Sequence, residues 1–272
     1  MTTTDVPTKL IRLALAVLPL ALASPAVADD AAAAADEPAV TSRYPRAVIA
    51  RPLTLPRSVA VLGADVGANH DFTTMGGTPI AGYGFTDAFE VQIPYAFTAR
   101  ELEPRGSVNV DAGYMVLRGA VGGALEAIAR VRTGYSLLDK AATPLMIGLH
   151  VQYNFTDKLA VISGTPGSQQ LRISLANDTT GAMPVDLSLP VGVGFQASNE
   201  LYVQLDTKLL QLGIHDSSTQ LVGKDTTPMT LTVVYNLLHA FDIQAAISSD
   251  LMNQPGDALT FLVGARYYAG DL

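Results

Sequence analysis

The feature that most constrains this chain is a strict alternation of apolar and polar side chains along long segments. Segments 88–98, 144–155, 185–196 and 240–251 all show it. In 185–196 the odd positions are Val185, Leu187, Leu189, Val191, Val193 and Phe195, and the even positions are Asp186, Ser188, Pro190, Gly192, Gly194 and Gln196. Successive side chains of a β-strand point to opposite faces, so each segment predicts a strand with one apolar face. Soluble sandwich strands average about 5–6 residues, whereas a tilted strand needs about 9–11 to cross a bilayer. The pattern therefore favours a membrane β-barrel over a soluble all-β domain.

About twelve such strands can be drawn between residues 57 and 272. We place them near 58–69, 78–85, 88–98, 107–118, 125–137, 144–155, 158–164, 184–197, 200–214, 228–237, 240–251 and 258–268. Short connections at Thr86-Asp87, Gly119–Ala124, Thr156-Asp157, Ser198-Asn199 and Leu238-His239 alternate with longer ones near 70–77, 99–106, 138–143, 165–183, 215–227 and 252–257. Outer-membrane barrels have an even strand number, short periplasmic turns and longer extracellular loops. We therefore predict an all-β, closed, antiparallel up-and-down transmembrane β-barrel in the outer membrane, with both termini periplasmic.

The N-terminal part of the chain differs from the rest. Lys9 and Arg12 precede an apolar run from 13 to 22, and Ala26-Val27-Ala28 then matches a cleavage site, so residues 1–28 are predicted to be a signal peptide. Residues 29–56 are rich in alanine and proline and offer little apolar surface for a core. We therefore expect 29–56 to be a flexible periplasmic lead-in and 57–272 to be the barrel.

The composition points away from catalysis and from nucleic acid. The chain has no cysteine, which excludes disulfides and thiolate sites, and its net charge of −8 argues against a nucleic-acid partner. The four histidines His70, His150, His215 and His239 lack metal-ligand spacing, and no nucleophile-elbow or phosphate-loop motif occurs. We expect no enzyme activity, no cofactor and no metal.

Two of the short turns are near copies of one another. Gly84-Phe85-Thr86-Asp87 and Asn154-Phe155-Thr156-Asp157 each lead into a strand, and 197–203 is a looser third copy. These turns resemble the repeated G-F-T-D turns of the porin-like bacterial outer-membrane β-barrel family, which includes outer-membrane transporters. The segment Arg51–Pro56 also looks like the stretch that leads into such barrels. The resemblance implies outer-membrane lipid and the barrel-insertion machinery as partners.

The end of the chain departs from that family. Barrels of this kind usually end in an aromatic residue, whereas here the last strand is followed by Ala269-Gly270-Asp271-Leu272. Either Tyr267-Tyr268 serves as the assembly signal, or recognition by the insertion machinery is atypical.

The polar faces of the strands predict what lines the lumen. The expected pore-lining residues are Glu90, Gln92, Asp111, Glu126, Arg130, Arg132, His150, Gln152, Asp186, Gln204, Asp206, Lys208, Asp242, Gln244, Asp250 and Arg266. Acids outnumber bases among them, and charge inside a low-dielectric wall concentrates counter-ions. The leading hypothesis is a narrow passive-diffusion channel for small solutes or ions with a mild cation preference.

Two alternatives stay open at this stage. Eight-stranded barrels are filled by side chains and sixteen strands leave a wide channel, so about twelve could give either a pore or a plugged lumen. Glycines on the polar faces (Gly82, Gly84, Gly148, Gly192, Gly194 and Gly264) leave space and favour a pore. The alternative function is a closed structural or adhesive barrel whose extracellular loops bind a partner.

The longest connection, 165–183, contains a strand-like stretch. Residues 170–175 alternate polar and apolar side chains, including Arg172. This stretch is expected either to extend a hairpin above the membrane or to fold into the mouth and narrow it.

Overall fold

The computed structural model describes residues 44–100, 103–164, 170–174, 185–213, 218–221, 228–251 and 259–272. The predicted signal peptide and residues 29–43 of the lead-in lie outside these ranges. In the described part, a 3-10 helix spans Val48–Ala50 and the strands are β1 Ala60–Asn69, β2 Met75–Thr86, β3 Phe89–Arg100, β4 Glu103–Ala120, β5 Leu125–Ser136, β6 Ala141–Ala142, β7 Leu145–Asn154, β8 Leu159–Ser163, β9 Leu171–Ile173, β10 Val185–Gln196, β11 Leu201–Gly213, β12 Ser218–Leu221, β13 Pro228–Leu238, β14 Phe241–Asp250 and β15 Thr260–Ala269.

These strands form one closed antiparallel sheet. Each wall strand pairs with its neighbours along the chain, β10 pairs with β11, and β1 closes the ring by pairing with both β2 and β15. The short strands β8 and β9 both pair with β7 and β10, so they share one position in the wall. β6 and β12 only extend the hairpins of β5 and β11. The wall thus has twelve positions, which confirms the predicted up-and-down barrel.

The period-two pattern places apolar side chains on the outside of the barrel. On β10, Leu189, Val193 and Phe195 are 44%, 46% and 48% exposed, while Gln196 is buried. Aromatic residues near the short-turn ends, such as Phe85, Phe155 and Tyr267, also point outward. Such an apolar outer surface suits contact with the hydrocarbon chains of a lipid bilayer rather than with water. Among the residues placed here, no helix is long and apolar enough to span a membrane.

Two predicted connections differ from the structure. The loop expected near 99–106 is largely strand, because β3 and β4 stay paired out to Arg100 opposite Glu103. The described part of the strand-like stretch, residues 170–174, neither stands above the barrel nor folds into its mouth. Its residues Leu171–Ile173 form β9 inside the wall, where backbone groups find partners on both sides.

A glutamine side chain bridges the gap between β8 and β9. The backbone N–H of Leu149 on β7 donates to Gln170 Oε1 at 2.7 Å, and Gln170 Nε2 donates to the Leu149 carbonyl at 2.6 Å. The side-chain amide therefore replaces a backbone partner where the wall strand is interrupted.

The expectation of a flexible lead-in is corrected for residues 44–56. Tyr44, Ile49, Arg51, Thr54 and Leu55 are all buried. The segment can be buried despite its prolines because the backbone donors of Ile49, Leu53 and Leu55 bind inward-facing side chains of the wall, as described next.

Candidate functional site: the lumen and its N-terminal segment

The predicted pore-lining residues differ widely in exposure. The structure buries Glu90, Asp111, Arg130, His150, Gln152 and Asp242. A second group is half-buried: Gln92, Glu126, Arg132, Asp186, Gln204, Asp206, Gln244, Asp250 and Arg266. Lys208 is exposed. Most of these side chains bind other side chains of the interior or the backbone of the N-terminal segment rather than pointing freely into open space.

The largest network joins β3, β4 and β5. Arg130 Nη1 lies 2.7 Å from Glu90 Oε1, and Arg130 Nε donates to Asp111 Oδ1 at 3.0 Å. Arg132 Nε donates to the other Asp111 oxygen at 2.9 Å. Gly113 stands between Glu90 and Arg130 in the register, and a Cβ there would lie 3.3 Å from Glu90 Oε1 and 2.7 Å from the Ile128 side chain. The glycine therefore lets the Glu90–Arg130 pair form across β4.

A second network crosses the seam where the barrel closes. Arg266 on β15 forms a bidentate pair with Asp65 on β1, at 2.6 and 2.8 Å, and Gln244 on β14 donates to Asp65 at 2.7 Å. Asp65 was missed from sequence because both faces of its strand carry small apolar residues. A Cβ on Gly264 would lie 1.9 Å from Asp65 Oδ1, so this glycine makes room for the pair.

The third group lies on β11. Gln204 Nε2 donates to both oxygens of Asp206 at 2.9 and 2.8 Å, and Tyr202 Oη donates to Gln204 Oε1 at 2.8 Å. A Cβ at Gly192 or Gly194 would lie 2.1 Å from Asp206 Oδ1 or Tyr202 Oη respectively. The expectation that these glycines widen the lumen is therefore corrected: they accommodate neighbouring side chains against the wall.

Residues 44–57, which we call the plug segment, lie inside the barrel at the short-turn end. The Ile49 N–H donates to Gln196 Oε1 at 3.0 Å, and the Ile49 carbonyl accepts from Gln152 Nε2 at 2.9 Å. Farther along, the Leu55 N–H donates to Glu90 Oε2 at 2.7 Å, and the Leu53 N–H donates to Glu126 Oε2 at 3.3 Å. Three of these four side chains, Gln152, Glu90 and Glu126, were predicted to line the lumen, and they bind the backbone of this segment.

An arginine of the plug segment binds the opposite side of the barrel. Arg51 forms a bidentate pair with Asp242 on β14, and Asn236 on β13 donates to Asp242 Oδ1 at 2.7 Å. Both side chains of the ion pair are almost fully buried. Arg46 donates to Asn236 Oδ1 at 2.8 Å. The sequence gives no sign of this contact, because Arg51 and Asp242 are 191 positions apart.

Burial and charge also set the ionisation of the plug segment. Burial alone would lower the pKa of Arg51, but its hydrogen bond to Asp242 and the electrostatic effects of Tyr44, Asp242 and Tyr268 together more than offset this and raise the pKa above the ordinary value. Burial raises the pKa of Tyr44, against the opposing effect of the nearby Arg51 charge. The segment is therefore held by a permanently charged arginine and a neutral tyrosine.

Apolar side chains also pack the plug segment against the wall. Ile49 packs with Ala160, Ile162 and Tyr202. Tyr44 packs against Tyr268 with ring centroids 4.6 Å apart.

An open recess of about 410 Å³ remains beside the segment, lined by Pro45, Ala50, Pro52, Pro56, Asp87, Arg118 and Glu126. Within the described ranges, no three His, Asp or Glu side chains are grouped to hold a metal ion.

Comparison with known proteins finds likeness in structure but not in sequence. No family model matches the chain, and no curated protein matches it. The NanC porin superposes with a TM-score of 0.55 at 9% identity, over 76% of this chain and 98% of that one. The KdgM porin, solved in complex with disordered oligogalacturonate, superposes with a TM-score of 0.51 at 10% identity, over 76% and 98%. The likeness is one of fold: the chain has the β-barrel fold that these two porins have.

Proposed function

We propose that this protein is a non-catalytic channel of the bacterial outer membrane, which passes small solutes or ions by passive diffusion with a mild cation preference. The observation that carries the proposal is a closed twelve-position wall with an apolar exterior and a charged, polar interior. Twelve strands give a lumen wider than the eight-stranded barrels that side chains just fill. The likeness to two porins supports the same class at the level of fold. The proposal includes insertion by the barrel machinery and short turns on the periplasmic side.

The charge preference depends on the acids that lack an arginine partner. Glu90, Asp111, Asp65 and Asp242 are each neutralised by an arginine at hydrogen-bond distance. Asp206 accepts only from Gln204, and within the described ranges no basic side chain lies within ion-pair distance of it. An uncompensated carboxylate in a lumen attracts cations, so Asp206 is the residue we expect to set the preference.

Conductance and reversal potential in planar bilayers test this proposal. Wild type should conduct, and Asp206→Asn should lower its cation preference under a salt gradient. The difference should shrink at 1 M salt, where the screening length falls to about 3 Å. Asp157→Asn, an exposed acid in a short turn, is the matched control and should change nothing. Equal reversal potentials for all three proteins would refute the role of Asp206.

The second candidate is a closed structural or adhesive barrel. It is favoured by the plug segment and the ion-pair networks, which occupy part of the lumen. A barrel that folds in bilayers but never conducts, in wild type and in variants lacking the plug segment, would support this alternative.

A further inference from the structure

The plug segment reaches around the lumen rather than lying along one wall. Its contacts fall on β3, β5, β7, β10, β13 and β14, which are spread around the ring. A segment that is bound on both sides of a barrel crosses the lumen and obstructs passage through it. The obstruction lies at the short-turn end, where β1 begins.

The wall does not need the plug segment for its own hydrogen bonding. In the described part of the chain, every hydrogen bond between the segment and a wall strand involves a side chain. Its backbone-to-backbone hydrogen bonds are local, such as Ala50 N to Ala47 O and Val59 N to Pro56 O. Counting from Tyr44, where the described residues begin, the first backbone-to-backbone bond to the wall is Ser58 N to Gly84 O. Residues up to Arg57 could therefore leave the lumen without breaking a strand pairing.

Besides the apolar packing of Tyr44, Ile49 and Leu55, the segment is held by polar contacts that water can replace. Three backbone N–H groups, at Ile49, Leu53 and Leu55, bind wall side chains, and one buried ion pair joins Arg51 to Asp242. In a hydrated lumen, water can replace such hydrogen bonds at modest net cost. The buried Arg51–Asp242 pair differs, because losing one partner leaves the other charge uncompensated.

We propose that the plug segment is a displaceable gate of the channel, and that the Arg51–Asp242 pair is the latch that keeps it closed. This inference rests on the proposed channel function. Opening the gate removes the obstruction and also frees Glu90, Glu126 and Asp242 from their partners in the segment. Since Asp242 then loses its arginine, an open gate has a more negative mouth as well as a wider one.

Latch variants of the mature full chain test the proposal in planar bilayers. Arg51→Gln and Asp242→Asn should each raise the open probability or the mean conductance several-fold. Arg51→Gln should also increase cation preference, because it leaves Asp242 charged, whereas Asp242→Asn should not. The charge swap Arg51→Asp with Asp242→Arg should restore closure. Arg57→Gln is the matched control, because Arg57 lies on the same segment but is exposed.

A reversible cross-link tests whether the segment moves. The chain has no cysteine, so Ile49→Cys with Gln196→Cys introduces one defined pair, at positions joined by the Ile49 N–H to Gln196 contact. A short bifunctional methanethiosulfonate should hold the channel at low conductance, and a reductant should release it. Identical currents before and after reduction would overturn the gate.

The outcomes separate the two proposals. If wild type, the latch variants and Arg57→Gln all conduct alike, the gate is wrong and the channel function stands. If all of them fold, as judged by heat-modifiable gel mobility, and none conducts, including a variant lacking residues 44–57, the channel function itself is wrong. A conducting wild type together with several-fold higher conductance in the latch variants, but not in Arg57→Gln, supports both.

Discussion

At the scale of single residues, burial decides what an inward-facing charge does. Asp111 is fully buried and accepts from both Arg130 and Arg132. Asp186 faces the same interior, but its partner Arg172 lies 3.7 Å away and both side chains are partly exposed. The first pair is part of a fixed scaffold, whereas water screens the second.

An Asp→Asn substitution at each site should therefore have different consequences. Asp111→Asn removes the buried carboxylate that Arg130 and Arg132 share, leaves Arg130 paired with Glu90, and should lower the free energy of unfolding by about 3–5 kcal/mol. Asp186→Asn should change it by about 1 kcal/mol or less. Urea unfolding in lipid vesicles, followed by gel mobility, measures both. Similar losses at the two sites would mean that the lumen hydrates the Asp111 network fully.

At the scale of the strand, successive residues face alternately the lumen and the lipid. Thr232 on β13 pairs with the inward-facing Gln204, whereas Val233 pairs with Val203 and Ala245 on the outer face. The two residues are adjacent on one strand and lie at nearly the same depth in the membrane, so they form a matched pair for testing the orientation of the strand.

Arginine at these two positions should be tolerated very differently. Val233→Arg places a charge in the hydrocarbon and should cost about 2–4 kcal/mol of folding free energy near the midplane. Thr232→Arg enters the lumen close to Asp206 and should fold nearly as well as wild type. Folding yield into vesicles is the measurement. Equal yields would contradict the assignment of faces.

At the scale of the whole molecule, the barrel depends on joining its first and last strands. The Asp65–Arg266 pair, with Gln244, links β1, β15 and β14 at this seam. Both carboxylate oxygens and two guanidinium nitrogens are used, which makes the pair geometrically specific. This ion pair gives strand β1 a specific contact with β15, which the small apolar residues of β1 could not provide.

A double-mutant cycle should detect this seam. Asp65→Asn and Arg266→Gln should each destabilise the barrel, and together by less than the sum, with a coupling energy of about 0.5–3 kcal/mol. Asp111→Asn combined with Arg266→Gln is the control, since the residues belong to separate networks and should be additive within about 0.5 kcal/mol. Additivity in both cycles would show that the seam pair contributes nothing to closure.

Local patterning determined the architecture from sequence. The alternation in 88–98, 144–155 and 185–196 marks both strand position and outward face, because side-chain direction in a strand has a period of two. Alternating short and long connections then fixed the number of wall positions, since antiparallel neighbours need only hairpins. These properties depend on residues close together in the chain.

Only the tertiary structure decided how the lumen is filled. The Arg51–Asp242 latch, the Asp65–Arg266 seam and the glycines beside Asp206 join residues far apart in the chain. The plug segment is the clearest case, because residues 44–56 lack any strand pattern and can be ordered only where the wall supplies partners for their backbone. Sequence patterning records which face a residue occupies, whereas pairing across a lumen depends on the distance between walls, and that distance exists only once the barrel has closed.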